Sequence, residues 1–156
     1  MRHNSFFILP IFVLMLGIMA QPRAAACADL QVAATILLGK GTCSVKSVTP
    51  AIFDPALDPF SASPRAADAT VTVNCKGLGN KTGTVVIQRQ ASSPLYLRHT
   101  ITPADTITYS LNLPKSESVT NNTDLVITVT ATIAGSAYQN APAGIYSDTV
   151  GIEVLP

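Results

Sequence analysis

Leu30-Gln31-Val32-Ala33-Ala34-Thr35-Ile36-Leu37-Leu38 is the stretch on which the reading of this chain turns. In an extended backbone successive side chains point to opposite faces. Leu30, Val32, Ala34, Ile36 and Leu38 therefore share one face, Gln31, Ala33 and Thr35 take the other, and Leu37 interrupts the polar side. The segment reads as a half-buried strand. It precedes Cys43 and is joined to the rest of the chain by Gly39-Lys40-Gly41, a flexible link.

Downstream, Thr, Val and Ile dominate and alternate, as suits a pleated surface with one face buried. Strands are expected at residues 43–48, 70–75, 84–88, 106–113, 125–133 and 147–155. Turn signals separate them, among them Asp54-Pro55, Asp58-Pro59, Ser63-Pro64 and Asn121-Asn122. Six short strands without a convincing helix indicate an all-β sandwich. An immunoglobulin-like sandwich closes its core with about seven strands, and only six are expected after Cys43. The last of them carries Val150, Ile152 and Val154 and runs up to Pro156.

A sandwich short of its final strand exposes an apolar groove and an open sheet edge. An alternating strand from another chain can fill such a groove, and the leader is such a strand. A spare strand at one end and a missing one at the other suit a head-to-tail polymer, because heterologous contacts that do not close give a filament. The plainer alternative makes the leader the first strand of its own sandwich. Both arrangements bury the same side chains, worth about 1.5 to 3 kcal/mol for each larger one. They differ in which molecule owns the groove.

Upstream, Arg2 and His3 precede an apolar run over residues 6–20, and Ala24-Ala25-Ala26 comes after it. A positive start, a short apolar run and small residues before a cut describe a secretory signal peptide. The run is short of the roughly 20 residues that a membrane span requires. Cleavage is expected after Ala26. Export brings Cys27, Cys43 and Cys75 into an oxidising space, where paired thiols form disulfides. Cys43 and Cys75 each border an expected strand and are paired on that ground. Cys27 is left over, directly after the cut. A lipoprotein signal also ends before a cysteine, but usually with a bulky aliphatic residue where Ala24 stands.

The chain has 156 residues, of which 12% are charged, with a formal net charge of +1. That balance carries no nucleic-acid footprint. No cofactor or metal site is expected. His99 reads as a solvated loop residue, and Tyr109 as core packing with its hydroxyl at the rim. Asp148 reads as an acceptor for backbone N–H groups, while Asp54, Asp58 and Asp68 read as turn formers whose spacing matches no calcium loop.

Gly144-Ile145-Tyr146-Ser147-Asp148-Thr149-Val150, preceded by Gln139 and Pro142, resembles the closing motif of the spore coat protein U domain family, which includes subunits of archaic chaperone-usher pili. Similar pieces run in order through Cys43-Ser44-Val45, Phe53, Thr70-Val71-Thr72-Val73-Asn74-Cys75, Arg98 and Ile107-Thr108-Tyr109-Ser110-Leu111. Asp54-Pro55 stands where the family usually has glycine after the phenylalanine, and Cys27 is extra.

The resemblance implies an incomplete immunoglobulin-like fold of about six strands and a Cys43–Cys75 disulfide; no enzymatic activity is expected, because no nucleophile motif accompanies His99. It also implies a pilus subunit serving adhesion and biofilm formation, in transit through the periplasm to the cell surface. A periplasmic chaperone would lend a strand, and an outer-membrane usher would exchange it for the leader of the next subunit. On this reading residues 1–26 are the signal, 27–41 the leader and 42–156 the pilin domain. Leu30, Val32, Ala34, Ile36 and Leu38 form the donor face, and Val150, Ile152 and Val154 line the acceptor groove. The alternative is a monomeric, secreted or lipid-anchored sandwich that binds a ligand or surface.

Overall fold

A computed structural model describes residues 26–36, 42–78, 82–91 and 94–155. Residues 1–25 of the expected signal segment, and Leu37, Leu38 and the Gly39-Lys40-Gly41 link, lie outside the described residues, while Ala26 begins β1. The elements in chain order are β1 (Ala26–Ile36), β2 (Thr42–Thr49), β3 (Ala51–Leu57), β4 (Arg65–Lys76), β5 (Thr82–Arg89), β6 (Tyr96–His99), β7 (Thr106–Thr108), β8 (Ser110–Asn112), β9 (Ser116–Thr120), β10 (Asp124–Ile133), the single helical turn α1 (Gly135–Tyr138) and β11 (Gly144–Leu155).

The chain is all-β and forms two sheets. One runs β3-β1-β11-β5-β9, with β6 also on β11 and β7 on β6; the other runs β2-β4-β10-β8. The expected count of six strands after Cys43 is corrected to ten among the described residues. β3, β6 and β9 are absent from the expected set. β3 contains Asp54-Pro55, which reads as a breaker. It survives as a strand because β3 is a sheet edge paired only with β1, and its register shifts between Ala26 and Ala28, opposite the proline. Proline is tolerated at such edges and bulges.

The alternating segment 106–113 is one extended run that changes sheets. β7 pairs with β6 in the first sheet, β8 pairs with β10 in the second, and Tyr109 sits at the crossing with its N–H on the Leu95 carbonyl. β2 and β3 change sheets in the same way at Pro50.

The second sheet is framed by the ten-residue β4–β10 ladder. Alternation places Ile127, Val129, Ala131 and Ile133 inward from β10, and Ala69, Val71 and Val73 inward from β4. They meet Val85, Ile87, Leu97, Ile107, Ile152 and Val154 of the first sheet in one core. Cys43 and Cys75 lie directly opposite each other in the β2–β4 ladder and form a disulfide. Closing its 32-residue separation stabilises the fold by roughly 3 to 4 kcal/mol in the chain-entropy picture.

The turn α1 fills the corner after β10. Gly135 is required there: a Cβ would stand 2.0 Å from the Ala62 carbonyl oxygen. The buried Tyr138 hydroxyl donates to the Ser63 carbonyl at 2.6 Å.

Candidate functional site: the seat of the first strand

β1 occupies the position that the sequence singles out. It lies between β11 and β3, parallel to β11 along its whole length and antiparallel to β3 from Ala26 to Leu30. This is the single parallel pair among the described strands. As far as Ala34 the even-numbered residues of β1 face the core in step with those of β11. Leu30 stands opposite Asp148, Val32 opposite Val150, Ala34 opposite Ile152 and Ile36 opposite Val154. Leu30 and Val32 are buried and Ala34 is half-buried. The expected donor face and the expected groove residues Val150, Ile152 and Val154 therefore meet within one chain. Of the five donor positions, Leu38 and the side chain of Ile36 lie outside what the structure describes.

Three features give the seat its shape. Among the described strands β3 pairs with β1 alone, so β1 joins β3 to the rest of the sheet. From Gln31 onward β1 has β11 on one side and, among the described strands, none paired on the other. On the outward face Cys27 is exposed, and Asp29 lies between Ile52 and Ser147. Asp29 Oδ2 accepts from the Gln31 side chain at 3.0 Å, while Oδ1 is buried with no hydrogen-bond partner among the described residues. A buried polar oxygen left unsatisfied costs about 1 to 3 kcal/mol, which weakens the strand's hold where it is seated.

The wall of the seat is rigid. Tyr146 of β11 is fully buried, with its hydroxyl donating to the Pro142 carbonyl at 2.9 Å. Burial, with the Asp105 charge second, raises its pKa. His99 meets its ring edge-on, with centroids 5.0 Å apart. The expectation of a solvated loop histidine is corrected, since His99 lies in β6 and is 7% exposed. Its Nδ1 accepts the N–H groups of Ile101 and Thr102 at 3.2 and 3.0 Å, and Nε2 faces the Ala143 carbonyl at 3.3 Å. Gly144 makes this possible: its φ is +152°, and a Cβ there would stand 2.0 Å from His99 Nε2.

Midway along β11 the Tyr109 hydroxyl donates to Asp148 Oδ2 at 2.6 Å, and Asp148 Oδ1 accepts the Thr149 N–H at 2.8 Å. Burial, then the hydrogen bond and charge of Asp148, pushes the Tyr109 hydroxyl far above the ordinary tyrosine range. Asp148 thus takes a backbone N–H, as expected, and in addition ties the sheet crossing at Tyr109 to the strand beside the leader.

The remaining carboxylates lie apart. Asp58 accepts the Phe60 N–H in a turn, whereas Asp54 lies in β3 and Asp68 in β4, where Asp68 accepts the Thr130 hydroxyl. The turn-forming roles expected of Asp54 and Asp68 are thereby corrected, because β3 is absent from the expected strands and β4 starts earlier than expected. Among the described residues no three His, Cys, Asp or Glu side chains are grouped to hold a metal ion.

No protein-family model and no curated protein matches the chain.

Proposed function

We propose that this protein is a structural subunit of a bacterial surface fibre, built by exchange of β1 between neighbouring chains and serving adhesion and biofilm formation. A periplasmic chaperone and an outer-membrane usher would be its assembly partners. The observation that carries the reading is the position of β1. It is a strand from the opposite end of the sequence, inserted between two edges that no other described strand joins. Its withdrawal would open the β11 edge and strand β3, while the second sheet, with its disulfide and ten-residue ladder, would keep its own pairing.

The unsatisfied Asp29 oxygen and the parallel pairing, slightly weaker per residue than antiparallel pairing, both favour release. A neighbour's leader entering the vacated seat would regain the apolar burial lost, so exchange has little net cost and repeats along a filament. The incomplete immunoglobulin-like fold belongs to this reading, and the disulfide is compatible with an extracytoplasmic location.

A second reading, a self-sufficient monomeric sandwich that binds a ligand or surface, is favoured by the seating of β1 within its own chain. Size analysis of the chain purified from the periplasm, with and without a co-expressed chaperone, separates the two. The fibre reading expects a ladder of oligomers without the chaperone and a one-to-one complex with it. A lone monomer under both conditions overturns it.

A further inference from the structure

Across β3, β1 and β11 the inward side chains form rows whose sizes are complementary. Ala26 lies between Leu57 and Gly144, Ala28 between Phe53 and Tyr146, and Leu30 between Ala51 and Asp148. Ala28, Phe53 and Tyr146 are all buried. A larger side chain at position 28 would press on Phe53 and on Tyr146, which is held by its bond to Pro142 and by His99. One row on, the size order reverses: Ala51 leaves space that Leu30 fills to complete burial.

Hydrophobic alternation cannot set this register alone. A slip of two residues keeps the apolar face inward, since side-chain direction repeats every second residue. Size can set it. Among the inward residues Ala28, Leu30, Val32 and Ala34, alanine followed by leucine occurs once, at Ala28 and Leu30. A two-residue slip would force Leu30 between Phe53 and Tyr146 or leave the space beside Ala51 to a smaller side chain.

We infer that the seat is a size filter: it admits a strand only in the register that sets a small residue between Phe53 and Tyr146 and a leucine-sized one beside Ala51. The occupant it fits is residues 27–36 of a second copy of this chain. The identity of that occupant rests on the fibre reading; the filter itself does not.

Amide hydrogen exchange on the whole exported chain tests the filter. Ala28→Leu/Leu30→Ala keeps the leader's composition and inverts its size order. Exchange at residues 27–35 should become about tenfold faster or more, as overpacking of a tight row implies, while β4 and β10 stay protected. Adding Phe53→Ala should restore most of the lost protection. A size-inverted leader as protected as the native one overturns the filter, and so does failure of Phe53→Ala to rescue it. If the inverted chain does not fold, Phe53→Ala is compared with Phe53→Ala/Ala28→Leu. The filter expects the second to be better protected, and the opposite order overturns it. Oligomer size, read on the same samples, is a separate result: a correctly filtered leader in a chain that never polymerises refutes the second-copy occupant and the fibre while leaving the filter standing.

Discussion

The β4–β10 pair and the β1–β11 pair solve the same problem in opposite ways. Both are long ladders with apolar side chains aligned on one face. β4–β10 is antiparallel, central in its sheet and flanked by a strand that a disulfide ties to it. β1–β11 is parallel, joins the two ends of the described chain and, among the described strands, has no partner on the other side of β1 beyond Leu30. Equal alternation therefore does not mean equal permanence. A cross-link and antiparallel pairing on both sides make one ladder a frame, and their lack leaves the other replaceable.

The largest expected effect falls on the frame. Cys43→Ser/Cys75→Ser should lower stability by about 3 to 4 kcal/mol, seen as a drop in thermal midpoint of roughly 10 °C or more. A change of a degree or two would mean that the second sheet does not depend on its cross-link.

Leu30→Ala should cost about 2 to 4 kcal/mol, but mainly in the seat. Amide exchange should rise in β1 and β3 and stay slow in β4 and β10. Uniform loosening of both ladders would erase the contrast between them.

Tyr109→Phe removes the bond to Asp148, at about 1 to 3 kcal/mol. It also tests a pH dependence whose sign is fixed. The folded-state pKa of Tyr109 lies above its unfolded value, so its contribution is complete below about pH 10 and is lost as pH rises beyond that. Denaturant midpoints should fall at alkaline pH in the native chain and fall less in Tyr109→Phe. Parallel alkaline profiles would contradict this.

The smallest effect sharpens the comparison from the other side. Asp29→Thr removes the buried unpaired oxygen with a residue suited to strands, and should stabilise seating of β1 by about 1 kcal/mol. It should also slow any polymerisation, as sedimentation would show.

Much of the frame is legible in the sequence, because segments such as 70–75 and 125–133 carry regular alternation of β-branched residues. The elements that escape a sequence reading do so for physical reasons. Asp54-Pro55 hides β3 because a proline excluded from a central strand is permitted at an irregular edge. β9 is Ser116-Glu117-Ser118-Val119-Thr120, where Val119 is the one buried side chain, too little for a periodic signal. The burial of His99 depends on Gly144 and Tyr146, which reach it only through the β6–β11 pairing. For the seat, the sequence supplies both alternating faces and leaves open which chain they belong to. That choice depends on the free-energy difference between identical contacts made within a chain and between chains.

A covalent lock measures that choice directly. Val32→Cys/Val150→Cys, in a Cys27→Ser background, places thiols on residues paired across β1 and β11. The chain is purified as monomer and oxidised, then compared by sedimentation with the unlocked Cys27→Ser chain. The account predicts that the unlocked chain builds a ladder of oligomers while the locked chain stays monomeric. Equal ladders from both, or two permanent monomers, would contradict it.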